Sequence, residues 1–203
     1  DLPATGADFL VSSANKCLEG APGLSFCLCR RDALVRTEGW SRTLSLDLFD
    51  QWRALEETGQ FRFTPPTHAL LAFHQALDEL AQEGGVAGRA SRYRANHETL
   101  AAGMRALGFT PYLAPELQSH IITSFRYPAD ERFDFPTFAD RLNDLGCVIY
   151  PGKVSRADCF RIGTIGRIFP EDVRDLLRAV EETLAFIFSA GRETPGGKSR
   201  IVL

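Results

Sequence analysis

The side chain best placed to do covalent chemistry stands near the start of the chain. Lys16 follows Asp8-Phe9-Leu10-Val11-Ser12-Ser13-Ala14-Asn15 and precedes Cys17-Leu18-Glu19-Gly20-Ala21-Pro22-Gly23. Phe9–Val11 is a short apolar run closed by turn residues, which predicts a strand buried in a covered sheet. An amine partly buried just beyond such a strand stays neutral more of the time and attacks carbonyl carbon. A Schiff-base lysine requires this. Small neighbours leave room for a flat ligand, and Gly20 and Gly23 allow close backbone approach. A lysine after a strand is equally an ordinary solvated loop residue, and the run by itself selects no reaction.

Two further residues have the chemistry to bind anions. Thr64 precedes Pro65-Pro66-Thr67 at the predicted start of a helix. Free N–H groups and the positive dipole end of a helix suit a phosphate there; simple N-capping by Thr64 is the plainer alternative. Arg161 lies between Phe160 and Ile162 on a predicted strand. A guanidinium so placed needs a partner, either the carboxylate or phosphonate of a ligand or an internal acid. The pairs Gly152-Lys153 and Gly163-x-x-Gly166 lack the spacing of a phosphate-binding loop.

Composition sets the limits. The chain has 203 residues, 44% hydrophobic and 24% charged, with a net charge of −3. These are ordinary values for a globular protein, and the charge gives no reason to expect nucleic acid or a membrane as partner. No apolar run reaches the length of a transmembrane helix. Cys17, Cys27, Cys29, Cys147 and Cys159 form no C-x-x-C pair, and His68, His74, His97 and His120 show no metal spacing with them. This predicts a reducing, cytoplasmic setting without a disulfide or zinc framework. Cys27 and Cys29 share one strand face and read as core packing. The chain opens on Asp1-Leu2-Pro3, without Met or a signal peptide, and is expected to be a piece of a longer protein.

The elements that must position these residues read as α/β. A second strand is predicted over Ser25–Val35, broken at Arg30-Arg31-Asp32, then a loop over Trp40–Leu44. Leu46, Phe49, Trp52 and Leu55 predict a helix over Leu46–Glu57. A helix starts near Thr64–Thr67 and runs to Gln82 on Leu70, Phe73, Leu77 and Leu80; after Glu83-Gly84-Gly85 another covers Val86–Leu107 and ends at Gly108. Arg89, Arg92, Arg94 and Arg105 on these helices read as a solvated face. Strands follow at Phe109–Leu113 and His120–Tyr127, a helix at Phe135–Leu145, and strands at Cys147–Tyr150 and Phe160–Gly163. A last helix runs from Pro170 to Phe188 on Val173, Leu176, Leu177, Val180 and Leu184. Ser189–Leu203 reads as a flexible tail.

Taken together the motifs resemble one family. Ser12–Cys17 (S-S-A-N-K-C) with Glu19–Gly23 (E-G-A-P-G) is similar to the cofactor-lysine segment of 2-aminoethylphosphonate:pyruvate aminotransferases. So are Ser45–Leu48 with Asp50–Trp52, Arg62–His68, Val148–Ser155 and Asp158–Gly163 to later blocks of that family. The resemblance runs in order from about residue 8 to residue 188.

It implies a fold-type-I pyridoxal-phosphate enzyme of class-V type and a homodimer. The chain would hold the C-terminal part of the large domain (1–95), a complete small α/β domain (96–188) and the tail (189–203). Lys16 would carry pyridoxal 5'-phosphate and be the catalytic base and acid. Thr64 would reach the cofactor phosphate of the neighbouring subunit, and Arg161 would hold the acidic group of the substrate. The implied reaction moves the amino group of 2-aminoethylphosphonate to pyruvate, giving phosphonoacetaldehyde and L-alanine. The family's aspartate for the pyridine nitrogen, its stacking aromatic and its Gly-rich phosphate loop would lie upstream; Asp1 and Asp8 sit too close to Lys16 to replace that aspartate. Two alternatives stay open: an alanine:glyoxylate or serine:pyruvate type of aminotransferase, and a chain that by itself is inert and only dimerises.

Overall fold

The computed structural model describes residues 2–152 and 157–190. Asp1, the Lys153–Ser155 end of one quoted motif and positions 191–203 of the expected tail lie outside them. The order is α1 (Leu2–Thr5), β1 (Phe9–Ser13), β2 (Ser25–Cys29), α2 (Arg31–Val35), α3 (Leu48–Thr58), α4 (Thr67–Gln82), α5 (Gly85–Ala106), β3 (Ile122–Arg126), α6 (Phe135–Asp144), β4 (Tyr150–Pro151), β5 (Cys159–Gly163) and α7 (Pro170–Ala190). Two compact units divide between Glu83 and Gly84. The boundary expected at 95/96 falls inside α5, which packs as one helix against α7. Ser189, expected in the tail, is still in α7.

In the first unit β1 and β2 form an antiparallel pair, from Phe9 opposite Cys29 to Ser13 opposite Ser25. The expected burial is not found: Phe9 is 40%, Leu10 38% and Val11 71% exposed. Two strands offer too few neighbours to cover both faces of a ribbon. β2 also stops earlier than expected. Arg30 remains extended and its N–H closes the ladder on the Asp8 carbonyl at 2.9 Å, after which Arg31–Val35 turns helical. Asp32 in that first turn suits the helix dipole. In α3, Asp47 caps the start by accepting from the Asp50 N–H at 3.1 Å, and Gly59 ends the helix with φ 68°.

The second unit carries the larger core. β5 is the central strand of an antiparallel sheet ordered β3-β5-β4. One face, with Thr123, Phe125, Phe160 and Ile162, is buried. Phe109 meets Phe160 edge to face at 5.3 Å, a favoured aromatic geometry. The predicted α7 face of Val173, Val180 and Leu184 enters this core. Gly103 of α5 faces Leu177 so closely that a Cβ there would overlap its terminal carbons.

Three expectations fail here for physical reasons. Phe109–Leu113 is not a strand but a single bridge, Pro111 to Phe125; proline has no N–H to give to a ladder. The strand expected at Cys147–Tyr150 is only Tyr150–Pro151 at the sheet edge. Arg89 and Arg92 are not on a solvated face. Arg89 is 4% exposed, and Arg92 Nη1 donates to the carbonyls of Gly166 and Ile168 at 2.6 and 3.1 Å. Asn96 Nδ2 also donates to Ile168 at 2.8 Å, so α5 holds the loop leading to α7.

Candidate functional site

Lys16 stands on a turn that the backbone fastens on both sides. The Glu19 N–H donates to the Lys16 carbonyl at 2.9 Å, the Gly20 N–H to the Ala14 carbonyl at 2.9 Å, and the Ala14 N–H to the Leu24 carbonyl at 3.4 Å. Ala14 is fully buried while Asn15, Lys16 and Cys17 are exposed. The partial burial expected for Lys16 is therefore absent, because the open β1–β2 ribbon does not enclose the turn that follows it. The two glycines serve packing within the unit. A Cβ on Gly20 would meet the Ala14 oxygen at 3.0 Å and Phe73 Cδ2 at 3.1 Å, and one on Gly23 would meet Ala69 Cβ at 3.2 Å. Asp8 pairs with Arg30 at 3.1 Å. Cys29 Sγ donates to Cys27 Sγ at 3.4 Å, and burial, then that bond, pushes the Cys29 thiol up to about 11.

Thr64 lines a cavity of about 570 Å³ in the same unit, together with Ser25, Ser45, Gln51 and Phe73. It does not cap α4. The helix begins at Thr67, with Pro66 at the cap position and no side-chain cap bond. Among the described residues no hydrogen bond engages the Thr64 hydroxyl, so the capping alternative falls. Sequence reasoning missed what holds this segment. Arg62 reaches the Asp50 carboxylate at 3.0 Å and the Leu44 carbonyl at 3.1 Å. Gln51 Nε2 donates to the Ser45 carbonyl at 2.9 Å. The blocks Ser45–Leu48, Asp50–Trp52 and Arg62–His68 thus meet around one cavity.

Arg161 belongs to the second unit. It lies on the central strand, opposite Ser124 of β3 and Tyr150 of β4. Phe160 and Ile162 turn into the core, which places Arg161 on the open face. Arg126 and Ile122 are exposed on that face too. No acid among the described residues pairs with Arg161, so the internal ion pair offered as its alternative is not formed. Such a guanidinium can grip a carboxylate or phosphonate. Among the described residues no group of His, Cys, Asp and Glu is arranged to hold a metal ion. None of the described helices is long and apolar enough to cross a membrane.

The sequence profile of the family described as Aminotransferase class-V matches residues 1–145. A 2-aminoethylphosphonate–pyruvate transaminase of Klebsiella pneumoniae is 53% identical over 185 residues, which is 91% of this chain and 50% of the relative. One of Vibrio vulnificus is 51% identical over the same shares. A solved alanine–glyoxylate aminotransferase from Nostoc sp. superposes with a TM-score of 0.77 at 25% identity, over 90% of this chain and 49% of that one. The chain thus spans about half the length of the relatives it matches, and the expected α/β fold of type-I aminotransferases is the one it shares with them. The chain belongs to the class-V aminotransferase family.

Proposed function

We propose that the protein to which this chain belongs is an aminotransferase that moves the amino group of 2-aminoethylphosphonate to pyruvate, giving phosphonoacetaldehyde and L-alanine. It works as a homodimer in the cytoplasm with pyridoxal 5'-phosphate. The observation that carries the reading is the 51–53% identity, over 185 residues, to relatives bearing that name. The 25% identity to an alanine–glyoxylate enzyme weighs against that type.

The donor set fits the cofactor. Lys16 offers an exposed primary amine on a backbone-pinned turn, which suits the cofactor's aldehyde. Thr64 offers a hydroxyl no helix cap consumes, three residues ahead of the first helical residue of α4, which suits its phosphate. When bound, pyridoxal phosphate supplies an electron sink for the carbon that loses its proton. The rest falls to the protein. Nζ of Lys16, when not holding the cofactor, removes the proton from the amine-bearing carbon of the donor and returns one, acting as base and then acid. Arg161 binds the phosphonate of the donor and the carboxylate of pyruvate, since a planar guanidinium forks onto either. Thr64 donates to the phosphate held by the neighbouring subunit.

Adding pyridoxal phosphate to the purified chain and to its Lys16→Ala variant tests the lysine. The expected result is a visible absorption band with the native chain alone. A band that survives the substitution overturns the role of Lys16. No band with the native chain supports instead the reading in which this chain alone is inert. Failure of 2-aminoethylphosphonate as amino donor for the whole protein overturns the reaction.

A further inference from the structure

The second unit holds a polar cleft apart from the open face that carries Arg161. It has a volume of about 290 Å³, and its polar lining includes His97, Glu98, Arg105, Gln118 and His120. His97 comes from the middle of α5, Arg105 from its last turn and His120 from the segment entering β3. We propose that this cleft binds a small organic oxyanion, a phosphonate, phosphate or carboxylate head on a short carbon chain.

The cleft is built rather than incidental. The rings of His97 and His120 lie 5.5 Å apart. His97 Nδ1 is 3.1 Å from the hydroxyl of Thr123, which is fully buried, and this bond orients the ring and leaves Nε2 for another partner. The His120 carbonyl accepts from the buried Thr164 hydroxyl at 2.8 Å. Gln118 Nε2 donates to the carbonyls of Ser119 and Ile122 at 2.7 and 2.8 Å. Both ends of the His120 segment are therefore fastened.

Among the described residues, Glu98 is the one acid lining the cleft, and it forms no ion pair with the lining cation Arg105. Arg105 forms no ion pair among the described residues. The groups that act on His97 are His120 and Arg105, which disfavour its charged form, and Glu98, which favours it; burial is the largest effect and holds it below the usual histidine range. An oxyanion in the cleft accepts a charge-assisted bond from the Arg105 guanidinium and hydrogen bonds from imidazole N–H groups. Pro111, Leu113 and Pro115 form an apolar side of the same cleft. The cavity exceeds a bare phosphate, and that wall suits a short alkyl chain.

The test follows the ring C–H signals of His97 and His120 by NMR in the whole chain, with inorganic phosphate and with propylphosphonate as probes. Both signals shift and saturate with propylphosphonate, which binds more tightly than phosphate, by roughly fourfold for each methylene that the wall covers. Arg105→Gln and His120→Gln, made separately at these exposed positions, each weaken binding about tenfold or more, the loss of one charge-assisted bond. Arg161→Gln leaves the shifts of His97 and His120 in place. Signals that do not move, equal binding of the two probes, unaltered binding in both cleft variants, or loss of the shifts in Arg161→Gln each overturn the proposal.

Discussion

The backbone N–H of Gly20 donates to the carbonyl oxygen of Ala14 at 2.9 Å, and the turn between them carries Lys16. Position 20 leaves little room for a side chain beside this bond. A Cβ there would meet the Ala14 oxygen at 3.0 Å, Phe73 Cδ2 at 3.1 Å and Ala14 Cβ at 3.2 Å. Gly20→Ala is therefore expected to lose about 1–3 kcal/mol of stability, the usual cost of overpacking. Because the turn opens, Lys16 should also react with pyridoxal phosphate less completely. Urea unfolding and the absorption band measure the two effects. An unchanged denaturation midpoint would show that the turn tolerates the methyl group.

Arg161 gives a prediction in which stability and function part. It is exposed on the central strand and no acid among the described residues pairs with it. Arg161→Ala in this chain should change unfolding by no more than about 0.5 kcal/mol. If Arg161 holds the substrates as proposed, the same change in the whole enzyme removes a charge-assisted contact worth about 1.5–3 kcal/mol. The expected fall in kcat/KM is roughly tenfold to a hundredfold with both 2-aminoethylphosphonate and pyruvate. A variant that loses its fold but keeps its turnover per folded molecule contradicts the anion-binding role.

Thr64 and Asp47 form a matched pair of tests in the first unit. Asp47 caps α3 by accepting from the Asp50 N–H, so Asp47→Ala is expected to cost about 1 kcal/mol. Thr64 lies outside α4 and caps nothing, so Thr64→Ala should leave stability within about 0.5 kcal/mol while, on the proposed role, weakening the cofactor's hold in the proposed dimer. Denaturation curves of the two variants separate the roles. A loss of stability in Thr64→Ala equal to that in Asp47→Ala would restore the capping reading.

Acid should reach the second unit through Asp130. The Arg132 side chain, by hydrogen bonding, and then the Arg132 backbone N–H hold the Asp130 carboxyl down to about 2. Arg132 in turn donates to the Phe188 carbonyl at 3.1 Å, joining this loop to the end of α7. A folded-state value below the ordinary 3.8 means that the contribution is present above that value. It is lost as pH falls through about 2. The unfolding curves of native chain and Asp130→Asn should differ near neutral pH and converge in strong acid. Curves that stay apart at the acid end contradict the assignment.

The helices were legible because their apolar residues recur at helical spacing, and Val173, Val180 and Leu184 do enter the core. Arg89 and Arg92 were misread because their burial depends on distant chain; Arg92 meets Gly166 and Ile168 more than seventy residues away. No local pattern carries such a partner. Pro111 was readable in principle, since proline cannot feed a ladder. The exposure of Lys16 was not, because the apolar run Phe9–Val11 records that a strand wants cover and cannot say whether this chain supplies it. The Arg161 face followed from strand alternation, whereas the His97–His120 pair joins α5 to the segment that precedes β3 and has no signature in either.

The contact of Gly103 with Leu177 sets how closely α5 and α7 approach. A methyl group at position 103 would overlap the Leu177 terminal carbons, which belong to a side chain that can turn aside only by giving up its packing. Gly103→Ala should therefore cost about 1–3 kcal/mol, although alanine favours a helix over glycine by about 1 kcal/mol. Leu177→Ala alone leaves a void and should also destabilise. In the double variant the new methyl group enters the space that leucine vacated, so the two costs should not add. The cost of Gly103→Ala in the Leu177→Ala background should vanish or reverse, and a double-mutant cycle from urea denaturation measures that coupling. Additive costs would mean that the helices shift apart to admit the methyl group, and that Gly103 is not what holds them close.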